Sequence, residues 1–189
     1  MLNLRQRGFT LIEFMIAIMI LGILLVAGAP SFGGWLQNQQ IRNAAESMLN
    51  GMQLARSEAV KNNNDVRFVL CDAVSSWQVL EMTASAVAPA SVGVCGAGVA
   101  NEVLVQQRFV QEGSSRAALT VTPADATEVT FNSMGRVKLN ADATSTITQI
   151  GVNTTVGGTH PLNVTVGAGG NLKMCDPSAT LSANDPRHC

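Results

Sequence analysis

Tyrosine is absent from this chain, and aromatic residues are scarce, six Phe and two Trp among 189 residues. Histidine occurs twice, at His160 and His188. Charged residues make up 13%, roughly half the usual share for a soluble domain. Each shortage excludes something. A chain that is 47% hydrophobic is not a disordered polyelectrolyte, and a net charge of −1 is not that of a polycation built to coat nucleic acid. Two histidines beside loop and tail residues, with no G-x-S-x-G, P-loop, H-E-x-x-H or EF-hand pattern, leave catalysis and metal chemistry without a motif. The four cysteines contain no C-x-x-C pair, which removes the zinc ribbon and the thioredoxin-like site. Neither an enzyme, nor a cofactor, nor a metal site is expected.

Charge is missing most conspicuously between Phe14 and Ile41, a run of 28 residues without one ionisable side chain. A helix needs roughly 20 apolar residues to cross a hydrocarbon core. Arg5 and Arg7 flank the run on its amino side, which predicts a cytoplasmic N-terminus and an exported remainder. A secretory signal peptide would read similarly, with Ala27-Gly28-Ala29 as a small-residue cleavage site. Glu13 argues against it, because a carboxylate in a spanning helix costs roughly 2.5–3.5 kcal/mol on insertion scales unless it has a partner or lies at headgroup level.

Beyond Pro30 the pattern turns amphipathic. Ile41, Ala45, Met48, Met52, Ala55 and Ala59 recur at helical spacing, while Arg42, Glu46, Arg56, Glu58 and Lys61 mostly fall on other faces. Asn62-Asn63-Asn64 ends the helix with residues that accept turns and the left-handed conformation. The apolar stripe is expected to be core and to pack on a sheet. Pro30 removes a backbone hydrogen bond and is expected to kink or locally melt the helix.

After residue 64 short strands alternate with Gly, Asn, Asp and Thr punctuation. The expected strands are 66–70, 77–82, 102–110, 118–122, 128–132, 146–152 and 162–166. Arg67, Gln78, Glu81 and Arg108 alternate with apolar neighbours, which suits an antiparallel sheet with one wet face. Residues 83–101, nearly uncharged and rich in Ala, Gly and Ser, read as a long loop. No strand–helix alternation is present, so the class is α+β, a long helix laid on an antiparallel sheet. Cys71, Cys95, Cys175 and Cys189 all lie in this half, and an even count in an exported domain favours disulfides. Three pairings are possible. The local one, Cys71–Cys95 with Cys175–Cys189, would stabilise by about 3 kcal/mol per bridge in the loop-entropy model.

The segment Gly8-Phe9-Thr10-Leu11-Ile12-Glu13, with basic residues before it and an apolar helix after it, resembles the class III signal of type IV prepilins. The resemblance implies cleavage after Gly8 by a prepilin peptidase and methyltransferase, with N-methylation of Phe9. It gives Glu13 the task of neutralising the Phe9 ammonium of a neighbouring subunit during docking. Pro30 also fits that family's long helix. The expected organisation is a leader over 1–8, a helix over 9–61 (membrane-spanning about 9–36, amphipathic about 37–61) and an exported domain over 62–189. Phe131-Asn132-Ser133-Met134-Gly135-Arg136 and the ending from Cys175-Asp176-Pro177 to Asp185-Pro186-Arg187-His188-Cys189 resemble the GspH/FimT family.

That resemblance implies a type IV pilin-like fold and a low-abundance minor pilin, tip-associated and helping to start assembly. Its partners would be major and minor pilins, the inner-membrane assembly machinery, and the inner membrane itself before the subunit moves to a surface fibre. The ending with two cysteines favours a pilus over the pseudopilus of type II secretion, the alternative within the family. FimT-like members imply a further alternative, DNA binding for natural transformation. Their G-R-x-R stretch is here Gly170-Asn171-Leu172-Lys173, so only Lys173 keeps a charge, without the bidentate fork that Arg offers phosphate. Arg136 and Lys138, with Arg187, are the substitute DNA-contacting candidates. From Asn62 onward seven Lys/Arg stand against ten Asp/Glu, a net of −3, which predicts weak and salt-sensitive DNA binding.

Overall fold

The computed structural model describes residues 9–71, 75–83, 102–112, 114–140, 143–154, 160–182 and 184–189, with backbone alone at 29–32. Among the described residues one helix, α1 (Leu11–Asn62), is followed by nine strands. The chain divides into two compact units, residues 1–36 and 37–189.

In the first unit, Leu11–Gly28 is long and apolar enough to cross a membrane, and none of it is buried within the protein. Leu11, Phe14, Met19 and Leu24 are all more than half exposed. In water such a surface is unfavourable, whereas in hydrocarbon it is matched and every backbone group of a helix is satisfied internally. The backbone is helical without interruption through Pro30, so the local melting expected at that proline does not occur.

The second unit is built on the remainder of α1. Ile41, Ala44, Ala45, Met48, Met52, Ala55 and Ala59 are fully buried, the stripe that the 3- and 4-residue spacing predicts. The helix ends where Asn63 takes φ 54°, a left-handed conformation that Asn tolerates. Strands β1 (Val66–Leu70), β2 (Trp77–Met82), β3 (Glu102–Arg108), β5 (Glu128–Phe131) and β6 (Val137–Lys138) form one sheet in the order β3-β2-β1-β5-β6. A second sheet, β4-β7-β8-β9, comprises β4 (Ala118–Thr122), β7 (Gln149–Asn153), β8 (Leu162–Val166) and β9 (Leu172–Cys175). Every strand pair in both is antiparallel.

Val66, Phe68, Val129 and Phe131 pair across β1 and β5 and join the helix stripe in one core with Ile150, Val152 and Val164 of the second sheet. Gly51 marks the closest approach of helix to sheet: a Cβ there would stand 2.8 Å from Phe68 Cε2 and 3.0 Å from Trp77 Cη2. Trp77 Nε1 donates to Ser47 Oγ at 3.1 Å, so the indole is both packed and satisfied.

Three expectations need correction. A single sheet was expected where there are two; the chain passes between them after β3, after β4 and after β6, the last time at 146–149. There the Ile147 amide donates to the Glu128 carbonyl in the first sheet, and the Thr148 amide donates to that of Thr122 in the second. The wet face fails at β1 and β2, where Arg67 and Gln78 are buried. Arg67, only 3% exposed, is held by two carboxylates: Nη1 lies 2.8 Å from Glu128 Oε2 and Nη2 lies 2.7 Å from Glu102 Oε2. A charge can leave water when it is paired and hydrogen-bonded in this way. Finally, β3 stops at Arg108 because the next residues turn, the Glu112 amide donating to the Phe109 carbonyl at 3.0 Å. The long loop expected over 83–101 lies, from residue 84, outside the described residues.

Candidate functional site

The amino end of α1 carries the first candidate constellation. Thr10 precedes the helix, and its Oγ1 accepts from the Glu13 amide at 3.4 Å while Glu13 Oε2 accepts from the Thr10 amide at 3.5 Å. These bonds are long, yet the reciprocal pattern is that of a capping box, T-x-x-E, in which two otherwise orphaned donors are satisfied. The carboxylate also sits at the positive end of the helix dipole. Phe9 is 87% exposed beside it, and Gly8 lies outside the described residues. The capping role was readable in the spacing of Thr10 and Glu13.

The C-terminal end carries the second. Cys175, at the end of β9, is bonded to Cys189 with Cα atoms 5.1 Å apart. Inside the loop so closed, the Asp176 amide donates to the Arg187 carbonyl at 2.7 Å, and the Cys189 amide donates to the Asp176 carbonyl at 3.2 Å. Cys71 is also disulfide-bonded, and its expected partner Cys95 lies outside the described residues.

The four cations named for DNA contact do not form one unpaired cluster. Lys138 on β6 lies 2.6 Å from Asp65 Oδ2. Lys173 on β9 donates to the His188 carbonyl at 3.0 Å. Arg187 donates to Asp185 through Nε at 3.0 Å and Nη2 at 2.7 Å. This fork, above all its hydrogen bonds, holds the Asp185 carboxyl down at about 2 and raises the Arg187 guanidinium in turn. Arg136 is exposed and has no side-chain partner among the described residues. Phosphate would therefore compete with existing acceptors at three of the four positions.

The family model for the type II transport protein GspH matches residues 44–177, and that for the prokaryotic N-terminal methylation motif matches residues 3–29. The first match alone covers well over half of the chain. The chain belongs to the GspH family. Among solved structures it is similar to the type IV minor pilin FimU of Pseudomonas aeruginosa, at 13% identity and a TM-score of 0.50, over 74% of this chain and 91% of that one. It is also similar to the minor pseudopilin EpsH of the type 2 secretion system of Vibrio cholerae, at 14% identity and a TM-score of 0.46, over 74% of this chain and 98% of the other. No curated protein matches it by sequence.

At such identities the likeness to FimU concerns the fold alone, the type IV pilin-like arrangement of a long helix with antiparallel sheets. Membership of the GspH family together with the methylation motif makes the protein a minor pilin or pseudopilin, a structural subunit of a type IV pilus or of a type II secretion machine. Within the matched region the structure places a tight knot at the turn Phe131–Arg136. Gly135 (φ 71°) and Gly170 (φ 81°) meet, the Val137 amide donates to the Ala168 carbonyl at 3.2 Å, and a methyl group at Gly170 would collide with the Gly135 carbonyl oxygen. Gly170 has no room for a side chain, and at Gly135 the positive φ favours glycine.

Proposed function

We propose that this GspH-family protein is a minor pilin of a type IV pilus that helps to initiate assembly and occupies the fibre tip. In this reading a membrane peptidase cuts after Gly8, Phe9 becomes the methylated N-terminus, and the inner membrane holds the helix with the domain from residue 62 on the exported side. The Glu13 carboxylate of one subunit then attracts the Phe9 ammonium of the next, a pairing that low dielectric strengthens and that offsets the desolvation of both charges. The observation that carries the reading is the first turn itself: an exposed Phe9 beside a carboxylate that Thr10 holds at the helix end, ahead of an uncharged exposed apolar surface. Pro30 would serve the helix during packing by leaving one carbonyl without its intrahelical donor. The ending closed by Cys175 and Cys189 supports the pilus over the secretion pseudopilus by family resemblance.

The test is a strain lacking this protein, scored for surface pili, exoprotein release and transformation in the same cultures. Loss of pili with normal secretion is the expected result. Intact pili with exoproteins retained in the periplasm would assign the subunit to a secretion machine, and intact pili with lost transformation would move the function to DNA uptake.

A further inference from the structure

A groove of about 480 Å3 lies in the exported domain where α1 passes the end of β9 and the disulfide-closed tail. Its volume falls within the range of ligand sites. Its apolar floor comes from Leu162 and Met174, both packed against the core, and its charged lining is Arg42 from α1 with Arg187 and one carboxylate, Asp176, from the tail. The sides are fastened together: the His160 amide donates to Asn38 Oδ1 at 2.9 Å, and the Arg187 carbonyl accepts from Asp176.

The two guanidiniums differ in how they are held. Arg187 spends Nε and one Nη2 hydrogen on Asp185, and its own amide donates to Asp185 Oδ1 at 2.9 Å. Three guanidinium N–H donors remain on a side chain that Asp185 orients but that stays 73% exposed, within reach of a ligand. Arg42 has only a loose neighbour, with Nε 3.9 Å from Glu46 Oε1 and both side chains more than half exposed. A screened pair of that kind gives way readily to a better acceptor.

We infer that this groove binds a single carboxylate of an acidic peptide segment from a partner protein, taken between Arg42 and Arg187 with apolar flanking side chains on Leu162 and Met174. Arginine forks match the planar carboxylate. A polyanion fits poorly, because carboxylates stand close to both arginines, Glu46 beside Arg42, Asp185 on Arg187 and Asp176 in the groove wall, and they would repel successive phosphates. A purely apolar segment would cover Arg42 and the remaining Arg187 donors without offering them an acceptor. The inference holds whether or not the chain enters a fibre.

The test is a titration of the full chain in detergent micelles, followed by NMR of the Met174 methyl and the arginine Nε signals. The probe is the blocked pentapeptide acetyl-Gly-Val-Glu-Val-Gly-amide, set against its Gln counterpart. Saturable shifts at Met174, at least ten-fold tighter for the Glu peptide, are expected. Arg42→Gln and Arg187→Gln should each weaken binding at least ten-fold, and Lys138→Gln on the other sheet should leave it unchanged. Arg42 sits on an exposed helix face, so its variant keeps the test valid if the Arg187 variant loosens the tail. Equal affinity for the two peptides, or indifference to both arginines, overturns the proposal. So does inorganic phosphate binding as tightly as the peptide, or a DNA duplex displacing it.

Discussion

The Nε of Arg56 donates to the carbonyl oxygen of Gly135 at 3.1 Å, across 79 residues of sequence. The bond ties the solvent-facing side of α1 to the turn before β6, where Gly135 in turn touches Gly170 of the second sheet. One guanidinium therefore fastens the helix to the point where the two sheets meet. Arg56→Ala is expected to destabilise the domain by about 1–2 kcal/mol, the scale of a charge-assisted bond that is partly exposed. Thermal unfolding of the full chain in detergent would read it, and Gly170→Ala should be worse because backbone has to move.

Gly51→Ala tests the helix–sheet contact. Alanine gains roughly 1 kcal/mol in helix propensity over glycine. The added methyl must displace the Phe68 and Trp77 rings, both buried and 5.5 Å apart at their centroids, and overpacking of that kind costs roughly 1–3 kcal/mol. The net expectation is a destabilisation of about 1 kcal/mol with an altered Trp77 near-ultraviolet signal. A gain in stability would mean the rings yield freely.

Arg67→Met should be among the most damaging substitutions in the domain. It leaves Glu102 and Glu128 facing each other in the interior without their cation. Breaking a buried pair from one side costs roughly 3–5 kcal/mol. Loss of cooperative unfolding, or a yield too low to purify, is the expected outcome, while Lys138→Met at the exposed Asp65 pair should change stability by less than about 1 kcal/mol.

Glu13→Gln separates the two tasks of that residue. Glutamine still caps the Thr10 amide, so helix content should be unchanged, but the charge is gone. If pairing with Phe9 of a neighbour drives docking, Glu13→Gln and Glu13→Ala should both reduce surface pili strongly while leader cleavage continues. Normal piliation with Glu13→Gln would leave capping as the residue's whole contribution.

Asp185 gives the tail a defined response to acid. Its carboxyl titrates at about 2 in the folded chain, below the ordinary 3.8. A lowered value means that the ionised form favours the folded tail. That contribution is fully present above about pH 4 and disappears as pH falls toward 2. The carboxyl carbon shift of Asp185 should show a midpoint near 2, and Arg187→Gln should move it back toward 3.8.

Periodicity made much of this molecule legible in advance. The stripe from Ile41 to Ala59 repeats over five turns, and β1, β2, β4 and β8 are alternating or continuous apolar runs bounded by turn residues. What escaped notice is short or depends on distant partners. Strands β6 and β9 have two and four residues, too few for a pattern. At the last passage between the sheets Ile147 is buried and its amide still bonds to Glu128 of the first sheet, so the run 146–152 looks like one strand although the chain changes sheets within it. Arg67 looked solvent-facing because its two carboxylates come from β3 and β5, at separations of 35 and 61 residues. The first turn is legible as a signal, and the T-x-x-E spacing of Thr10 and Glu13 carries the capping geometry as well.

The bond between Cys175 and Cys189 also governs what a protease can do. Pro177, Ala179, Thr180, Ser182 and Pro186 are exposed, and a stretch of that kind would ordinarily be an easy place to cut. A single cleavage within it opens the loop but frees no fragment, since both new ends remain joined through sulfur. The mass of the protein would rise by one water and nothing would leave until a reductant arrived.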